Sequence, residues 1–241
     1  MRAQTRSLKA VPLGVVALLV FSLAAQILVH NQQMLTPVRA ASLPSPPRLD
    51  IARSLSFGDD IFAAKLAMLW LQGFDNQPGI SLSFAGLDYA KLSAWLSLII
   101  ALDPQAQYPL RAASRIYAEV ADNDKRRLML DFVQREFMRD PNLRWRWMAH
   151  AVFVAKHRMG DAALALQYAR TLAAHGDGPE VPRWAKQMVI FVLEEMGELA
   201  SAEVLLGGLL NSGQITDPHE LRFLSQRLRE IEERAATPQD K

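Results

Sequence analysis

The sequence predicts an all-α protein, a helical-repeat solenoid preceded by one membrane-spanning helix. Apolar residues recur at helical spacing through the body of the chain, whereas the alternation typical of β-strands never persists. Two turns, Met159-Gly160-Asp161 and Gly197-Glu198, each separate two helical segments, and their glycines lie 37 residues apart. A period in this range, made of helix pairs, is typical of an α-solenoid.

The first apolar segment, residues 11–29, is uncharged and long enough to cross a bilayer. Nineteen residues at a helical rise of about 1.5 Å span about 28 Å, close to the thickness of the hydrocarbon layer. Three basic residues and no acid precede it, which predicts a cytoplasmic basic tail over residues 1–10 and export of the body. A cleaved signal peptide, with small residues near Ser22, is the alternative. The apolar run continues well past that point, which favours an uncleaved anchor.

A proline-rich segment separates this anchor from the body. Residues 30–50 contain four prolines and are predicted to form an extended, semi-rigid linker, with a docking peptide for a proline-binding groove as the alternative. The body is predicted to cover residues 51–236. Residues 75–87 interrupt its helical pattern with one proline and two glycines. A loop of this length inside a compact domain either covers the first helix pair or carries function.

The rest of the body is predicted to form about four helix pairs and a C-terminal capping helix. The segment 88–102 is the most apolar and is expected to lie buried between its neighbours. Asp103-Pro104 and Asp140-Pro141 each place a capping carboxylate before a first-turn proline, so each is predicted to begin a helix. The helix predicted after the second of these carries Leu143, Met148, Val152, Phe153 and Ala155 at helical spacing.

The C-terminal end of the array has its own signals. Gly207 and Gly208 lie inside an apolar helix, where close helix packing is the simplest explanation for them. The last helix is predicted to begin at Pro218 and to run to about Arg234, with a charged outer face that keeps the end of the array soluble. Residues 237–241 are predicted to form a disordered tail.

These features resemble the tetratricopeptide repeat over residues 59–234. That family places a glycine-containing turn between the two helices of a pair and a small residue early in the second helix. Gly160 and Gly197 match the turn, and Ala165 and Ala202 match the small position. The family's early tryptophan and first-helix glycine are absent, and the period exceeds the family's usual length of about 34 residues. The resemblance implies an α-solenoid that holds other proteins.

Composition and motifs argue against nucleic-acid binding and against catalysis. Without the three N-terminal basic residues, 24 basic and 25 acidic residues are intermixed, so no phosphate-tracking stripe is present. Cysteine is absent, which excludes a thiol nucleophile and a thiolate metal site. His150 and His157 lie about 10.5 Å apart along a helix, too far to share a metal ion. No nucleophile, phosphate-loop or metalloprotease motif occurs, and the sequence predicts neither an enzyme nor a cofactor.

The resemblance also implies a binding groove, because the first helix of each tetratricopeptide pair lines the concave face of the solenoid. Carried over from the turn glycines, the groove residues are Trp147, His150, His157, Arg158, Trp184, Gln187, Glu194 and Glu195. Aromatic anchors beside charged and amide groups suit a peptide-binding surface. Ordinary core packing is the alternative for Trp147, whereas Arg158 and Glu194 are expected to lie outside the core.

The leading functional hypothesis is a single-pass protein of the bacterial inner membrane, with its N-terminus cytoplasmic and its bulk periplasmic. It would hold protein partners in the membrane or envelope and assist the assembly or stability of an envelope complex. The alternatives are a permanent accessory subunit of an inner-membrane complex and an envelope hydrolase, for which no nucleophile constellation is present. An excess of arginine over lysine, 20 to 7, indicates a GC-rich bacterial genome.

Overall fold

The structure, a computed structural model, describes residues 12–34, 42–74, 84–213 and 215–236. Parts of the sequence predictions lie outside these ranges: the basic tail 1–10, linker residues 35–41, loop residues 75–83 and the tail 237–241. Every regular element in the described ranges is helical, which confirms the all-α prediction there. The chain divides into a first unit that contains the described residues 12–34 and a second that contains the other described residues.

The first unit contains one long apolar helix, α1, over Leu13–Met34. Its apolar window, Leu13–His30, has a mean hydropathy of 2.3, and none of it is buried. The helix extends five residues beyond the predicted end at Val29. By length and composition it is able to cross a membrane, and it is the one such helix in the described part of the chain.

The second unit consists, over its described residues, of ten α-helices packed in chain order. They are α2 (Leu49–Leu55), α3 (Asp60–Gly73), α4 (Tyr89–Leu102), α5 (Tyr108–Arg115), α6 (Asn123–Arg139), α7 (Pro141–His157), α8 (Ala162–His175), α9 (Arg183–Glu195), α10 (Leu199–Asn211) and α11 (Pro218–Ala236). Alternate helices also touch, α4 with α6, α5 with α7 and α7 with α9. The arrangement is compatible with a helical-repeat solenoid.

Aspartates cap the starts of many of these helices. Asp140 accepts a hydrogen bond from the backbone N–H of Leu143 at 3.1 Å, and Pro141 is the first helical residue, as predicted. The prediction that a helix begins after Asp103 is wrong. Asp103 ends α4, its side chain accepts from Gln105 N at 3.2 Å, and α5 begins only at Tyr108.

Turn glycines and small residues occupy the predicted positions. Gly160 and Gly197 have φ of 67° and 77°, the left-handed conformation that ends a helix at little cost only in glycine. Ala165 and Ala202 are fully buried, as the small packing positions require. In α4, nine of fourteen residues are buried, which confirms the expected burial of segment 88–102.

Arg126, a buried residue of α6, fixes the joint between two helix pairs. Its guanidinium donates to the carbonyl oxygens of Ala118 at 2.9 Å and Val120 at 2.5 Å, just before α6. It also donates to the carbonyl of Arg158, past the end of α7, at 3.1 Å. The Arg126 side chain thereby donates to backbone carbonyls that have no partner at the ends of the helices.

Arg144 makes a second clamp of this kind. It donates to the Glu136 carboxylate at 3.0 Å and to the Glu136 carbonyl at 2.7 Å, and both side chains are buried. Its other nitrogen reaches the Pro104 carbonyl at 3.1 Å. The Pro104 carbonyl lies in the turn between α4 and α5, so this contact links that turn to α7.

The described end of the predicted linker lies on the body. Leu43 is buried, and the indole Nε1 of Trp95 in α4 donates to the Pro44 carbonyl at 2.8 Å. Within residues 42–48, Leu43 and the Pro44 carbonyl therefore hold the chain against the body.

Candidate partner-binding site

Two of the predicted groove residues on α7, His150 and His157, flank an aromatic side chain that was not predicted for the groove. The ring of Phe153 stacks on His150 with centroids 5.7 Å apart and contacts His157 at 4.8 Å. Phe153 is 45% exposed. It follows buried Val152, but consecutive helical residues point about 100° apart, and only Val152 faces the core.

Trp147 and Arg158 of the α7 region differ in how accessible their side chains are to a partner. Trp147 is half-buried, and its indole Nε1 donates to Gln107 Oε1 at 2.6 Å, which makes it a structural residue. Arg158 is exposed, with its guanidinium 3.6 Å from the Glu119 carboxylate. Only Arg158 remains accessible to a partner at the solvent surface.

The predicted groove residues on α9 are largely covered by α11. Gln187 is buried and donates to Glu220 at 2.8 Å. Glu194 is only 6% exposed and binds Arg227 and Arg234 of α11 at 2.8 and 2.5 Å. The expectation that Glu194 lies outside the core is wrong, because the basic face of α11 packs against it instead of facing solvent.

Trp184 and Glu195 stay at the surface but do not share a cavity with the others. Trp184 is exposed and contacts Trp145 edge to face at 5.6 Å. Glu195 is exposed and pairs with Lys156 of α7. Of the eight predicted residues, Gln187 alone lines the cavity that opens beside α9. The structure therefore does not assemble the predicted set into one groove.

That cavity, named the α10 groove here, opens between α8, α9 and α10, which sequence reasoning did not select. Its volume is about 1220 Å³. The two flanking helices, α8 and α10, are not among the closely packed pairs, so the surface of α9 between them stays uncovered. The lining residues are Arg170, Ala173, Ala174, Arg183, Lys186, Gln187, Val189, Ile190, Leu193, Ala200, Ser201, Val204, Leu205, Leu209 and Ile215.

The α10 wall of the groove is apolar and open. Val204 is 73% exposed and Leu205 46%, while only Ala202 and Leu206 of this helix are buried. A Cβ added to Gly207 would meet no atom within 4 Å, and the same holds for Gly208. Close packing as the explanation for these two glycines is therefore wrong. They lie on an uncovered part of the helix.

The groove has an apolar floor and a cationic rim. Ile190 and Leu193 of α9 form the buried floor. Arg170, Arg183 and Lys186 are the charged residues among its lining, and no carboxylate joins them. Arg183 lies 3.7 Å from Glu220, whereas Arg170 and Lys186 make no ion pair with any residue that the structure describes. The groove thus combines exposed apolar side chains with two uncompensated cations.

The sequence carried one signal for this site. The segment 199–211, LASAEVLLGGLLN, is apolar over most of its circumference, with Glu203 as its one charged residue. Such a helix is normally buried on all sides. Periodicity alone does not show which of its faces lacks a neighbour, so the groove was missed.

Comparison with known proteins supplies no family for this chain. It matches no protein-family model, no curated protein and no solved structure. Among the residues that the structure describes, no group of three histidine, aspartate or glutamate side chains could hold a metal ion. The function is therefore inferred from the α10 groove and from the exposed faces of the helices.

His150 supplies an expected pH dependence. Burial, and then the nearby Arg115 guanidinium, lower its pKa below the ordinary value of 6.5, against an opposing effect of Glu119. The Nε2 atom has no hydrogen-bond partner among the described residues. Because the folded state disfavours the imidazolium, this contribution to stability is complete above pH 6.5 and is lost as the pH falls toward the folded pKa.

We therefore expect acidification from about pH 7.5 to about pH 5.5 to lower the free energy of unfolding, and His150→Gln to reduce that loss. Because one proton is involved, the free energy of unfolding can change by at most about 1.4 kcal/mol per pH unit. Partial solvation of the ring makes this change smaller. Denaturant unfolding at both pH values measures it, with exposed His157→Gln as the control. An equal acid loss in the parent and in His150→Gln would show that another group titrates.

Proposed function

We propose that the protein is a membrane-anchored helical-repeat scaffold of the bacterial envelope that binds an amphipathic helix of another protein in the α10 groove. The observation that carries the proposal is the groove itself: an open apolar trough beside α10 with a cationic rim. Monomeric proteins rarely leave such a surface exposed unless it serves an interaction. A groove of this kind best suits a protein that assists the assembly of a complex.

The dimensions of the groove favour a helix as the bound element. A helix is about 10–12 Å across, so about 1220 Å³ accommodates two to three of its turns. Helices bind such grooves through apolar residues at positions i, i+3, i+4 and i+7. Arg170 and Lys186 lack acidic partners in the described part of the chain, so a partner helix flanked by glutamate or aspartate completes the ion pairs.

We also propose that the helix pairs are repeats of the tetratricopeptide type. Four helix pairs, left-handed turns at Gly160 and Gly197, and buried small residues at Ala165 and Ala202 support a tetratricopeptide-like design. In that design α11 is the final capping helix. It binds Gln187 and Glu194 of α9, so we place partner binding in the adjoining α10 groove, which Gln187 also lines.

The proposed orientation places the N-terminus in the cytoplasm and the body in the periplasm. It rests on the length of α1 and on three basic residues before it with no acid. Because the chain lacks cysteine, one cysteine at Glu203 reports the compartment of the body. Its failure to react with a membrane-impermeant maleimide after outer-membrane permeabilisation, while a cysteine at Gln4 reacts, would contradict this orientation.

Defined peptides test the groove in the detergent-solubilised full chain. An amphipathic peptide of about 14 residues, with leucine on one face and glutamate on its flanks, should bind more tightly than its lysine-flanked counterpart. The double change Val204→Asp with Leu205→Asp should weaken binding by about thirtyfold, because it places charge on the apolar wall. Fluorescence anisotropy measures the Kd, and the thermal melt should match the parent because both side chains are exposed.

Phe223→Asp is the matched control. Phe223 is an exposed apolar residue of α11 that does not line the groove, so its replacement should leave peptide binding unchanged. Equal affinity for both peptides, unaffected by the double change, would exclude the groove as a binding site for an acidic helix. A protein that instead co-purifies at fixed stoichiometry through detergent would favour the permanent accessory subunit.

A further inference from the structure

Helix α3 is apolar on two opposite faces, and the body covers only one of them. The covered face packs through Ala64, Met68 and Leu71. The opposite face, named the α3 face, consists of Phe62, Leu66 and Leu69, each more than half exposed. The two sets lie about 180° apart around the helix. Helices that are apolar all round are ordinarily buried in protein or in lipid, so the α3 face requires a covering medium.

Aromatic residues border this face. Phe57, in the turn before α3, is 96% exposed and has φ of 51°, a left-handed backbone that a bulky residue rarely adopts. Trp70 is partly exposed, and its ring contacts Trp95 of α4 at 4.6 Å. Phenylalanine and tryptophan rings of this kind concentrate where proteins meet the boundary between lipid headgroups and acyl chains.

The surroundings of the α3 face carry no net charge. Residues 42–74 contain three basic and three acidic side chains. Arg48 pairs with Asp50 at 3.2 Å, and Arg53 pairs with Asp60 at 3.3 Å. The α3 face thus differs from the α10 groove, whose rim is cationic. The balanced charges of residues 42–74 do not select a charged partner. Apolar and aromatic side chains, by contrast, are suited to a lipid interface.

The covalent chain keeps this part of the body close to the anchor. Eight peptide units connect Met34, the last residue of α1, to Ser42, a span of at most about 29 Å. Residues 42–48 are then strapped to α4 through Leu43 and Pro44, which leaves little additional slack. The stretch of sequence between α1 and the α3 face is therefore short.

We infer that the α3 face lies in the headgroup region of the bilayer and gives the body a second, interfacial attachment. This inference rests on the membrane anchorage in the proposed function. Contact through α3 adds an attachment to the bilayer that α1 does not supply. Because the region is neutral, the contact depends on burial of apolar surface and is insensitive to the charge of the lipid headgroups.

Site-directed spin labelling of the full chain in nanodiscs tests the inference, and the cysteine-free sequence permits single labels. Cysteines at Leu66 and Leu69 should be more accessible to oxygen than to a water-soluble nickel chelate. A label at Leu19 of α1 is the positive control for lipid, and a label at Glu203 of α10 is the aqueous control. The pattern should be the same in phosphatidylcholine and in mixtures with phosphatidylglycerol.

Each contrary result has a separate meaning. Nickel accessibility at Leu66 and Leu69 equal to that at Glu203, with Leu19 in lipid, would overturn the inference and leave the anchor intact. Protection of both α3 labels from oxygen and nickel alike would also overturn it, because protein then covers the face. A Leu19 label accessible to nickel would instead overturn the membrane anchorage itself.

Discussion

Replacement of Arg144 by alanine should lower the free energy of unfolding by about 3–5 kcal/mol, the largest effect expected from any single change described here. Glu136 is 1% exposed, and Arg144 supplies both a carboxylate contact and a carbonyl contact to it. Without Arg144 the Glu136 charge stays buried with a single partner, Arg139, and the Pro104 carbonyl loses its donor. Denaturant unfolding of the full chain in detergent measures the loss.

Arg139→Ala is the control for this prediction. Arg139 binds the same carboxylate at 2.7 Å, but its side chain is largely exposed. Its loss should therefore cost no more than about 1 kcal/mol, as for other solvent-exposed ion pairs. Equal destabilisation by the two alanine variants would mean that burial of the Arg144 pair does not hold the α6–α7 joint.

Replacement of Glu194 by alanine should weaken the docking of α11 by about 2–3 kcal/mol. Its carboxylate accepts from Arg227 Nε at 3.0 Å and from Arg234 at 2.5 Å, so one buried side chain holds two positions of the last helix. The cost is smaller than for Arg144 because the two arginines can regain water once the carboxylate is gone. Faster amide hydrogen exchange along α11 is the expected measurement.

The exposed neighbour Glu195 provides the control for the Glu194 prediction. Glu195 is adjacent to Glu194 in sequence but lies at the surface, paired with Lys156. Glu195→Ala should leave exchange along α11 at the parent rate. If Glu194→Ala also left it unchanged, the packing of Leu224 and Ile231 alone would account for the attachment of α11.

The fold was predictable where local chemistry decides the backbone. Asp140 with Pro141, and Gly160 with Gly197, act within a few residues of themselves, so their sequence signals sufficed. The same signal at Asp103 and Pro104 did not begin a helix: Asp103 caps a turn instead, and the distant Arg144 side chain binds the Pro104 carbonyl of that turn. Tertiary partners of this kind leave no local pattern.

The candidate site was less predictable for a related reason. The tetratricopeptide pattern locates positions on a helix but does not say what covers them. Glu194 and Gln187 are polar residues at predicted groove positions, yet α11 lies on both. The α10 groove arises from a gap between α8 and α10, and a gap is a property of packing. Only the unusual apolarity of residues 199–211 indicated it.

The arginine clamps make the coupling between neighbouring helix pairs uneven along the array. Arg126 and Arg144 tie backbone carbonyls across the central joints, whereas α11 is held to α9 by partly exposed arginines. In a linear array, stability is mainly a sum of nearest-neighbour terms. We therefore expect helices α9 to α11 to open at lower free energy than the centre. Since two of the three helices that line the α10 groove belong to this end of the chain, a bound helix would draw its affinity partly from suppressing those openings, and ligand binding and local folding would become one linked equilibrium.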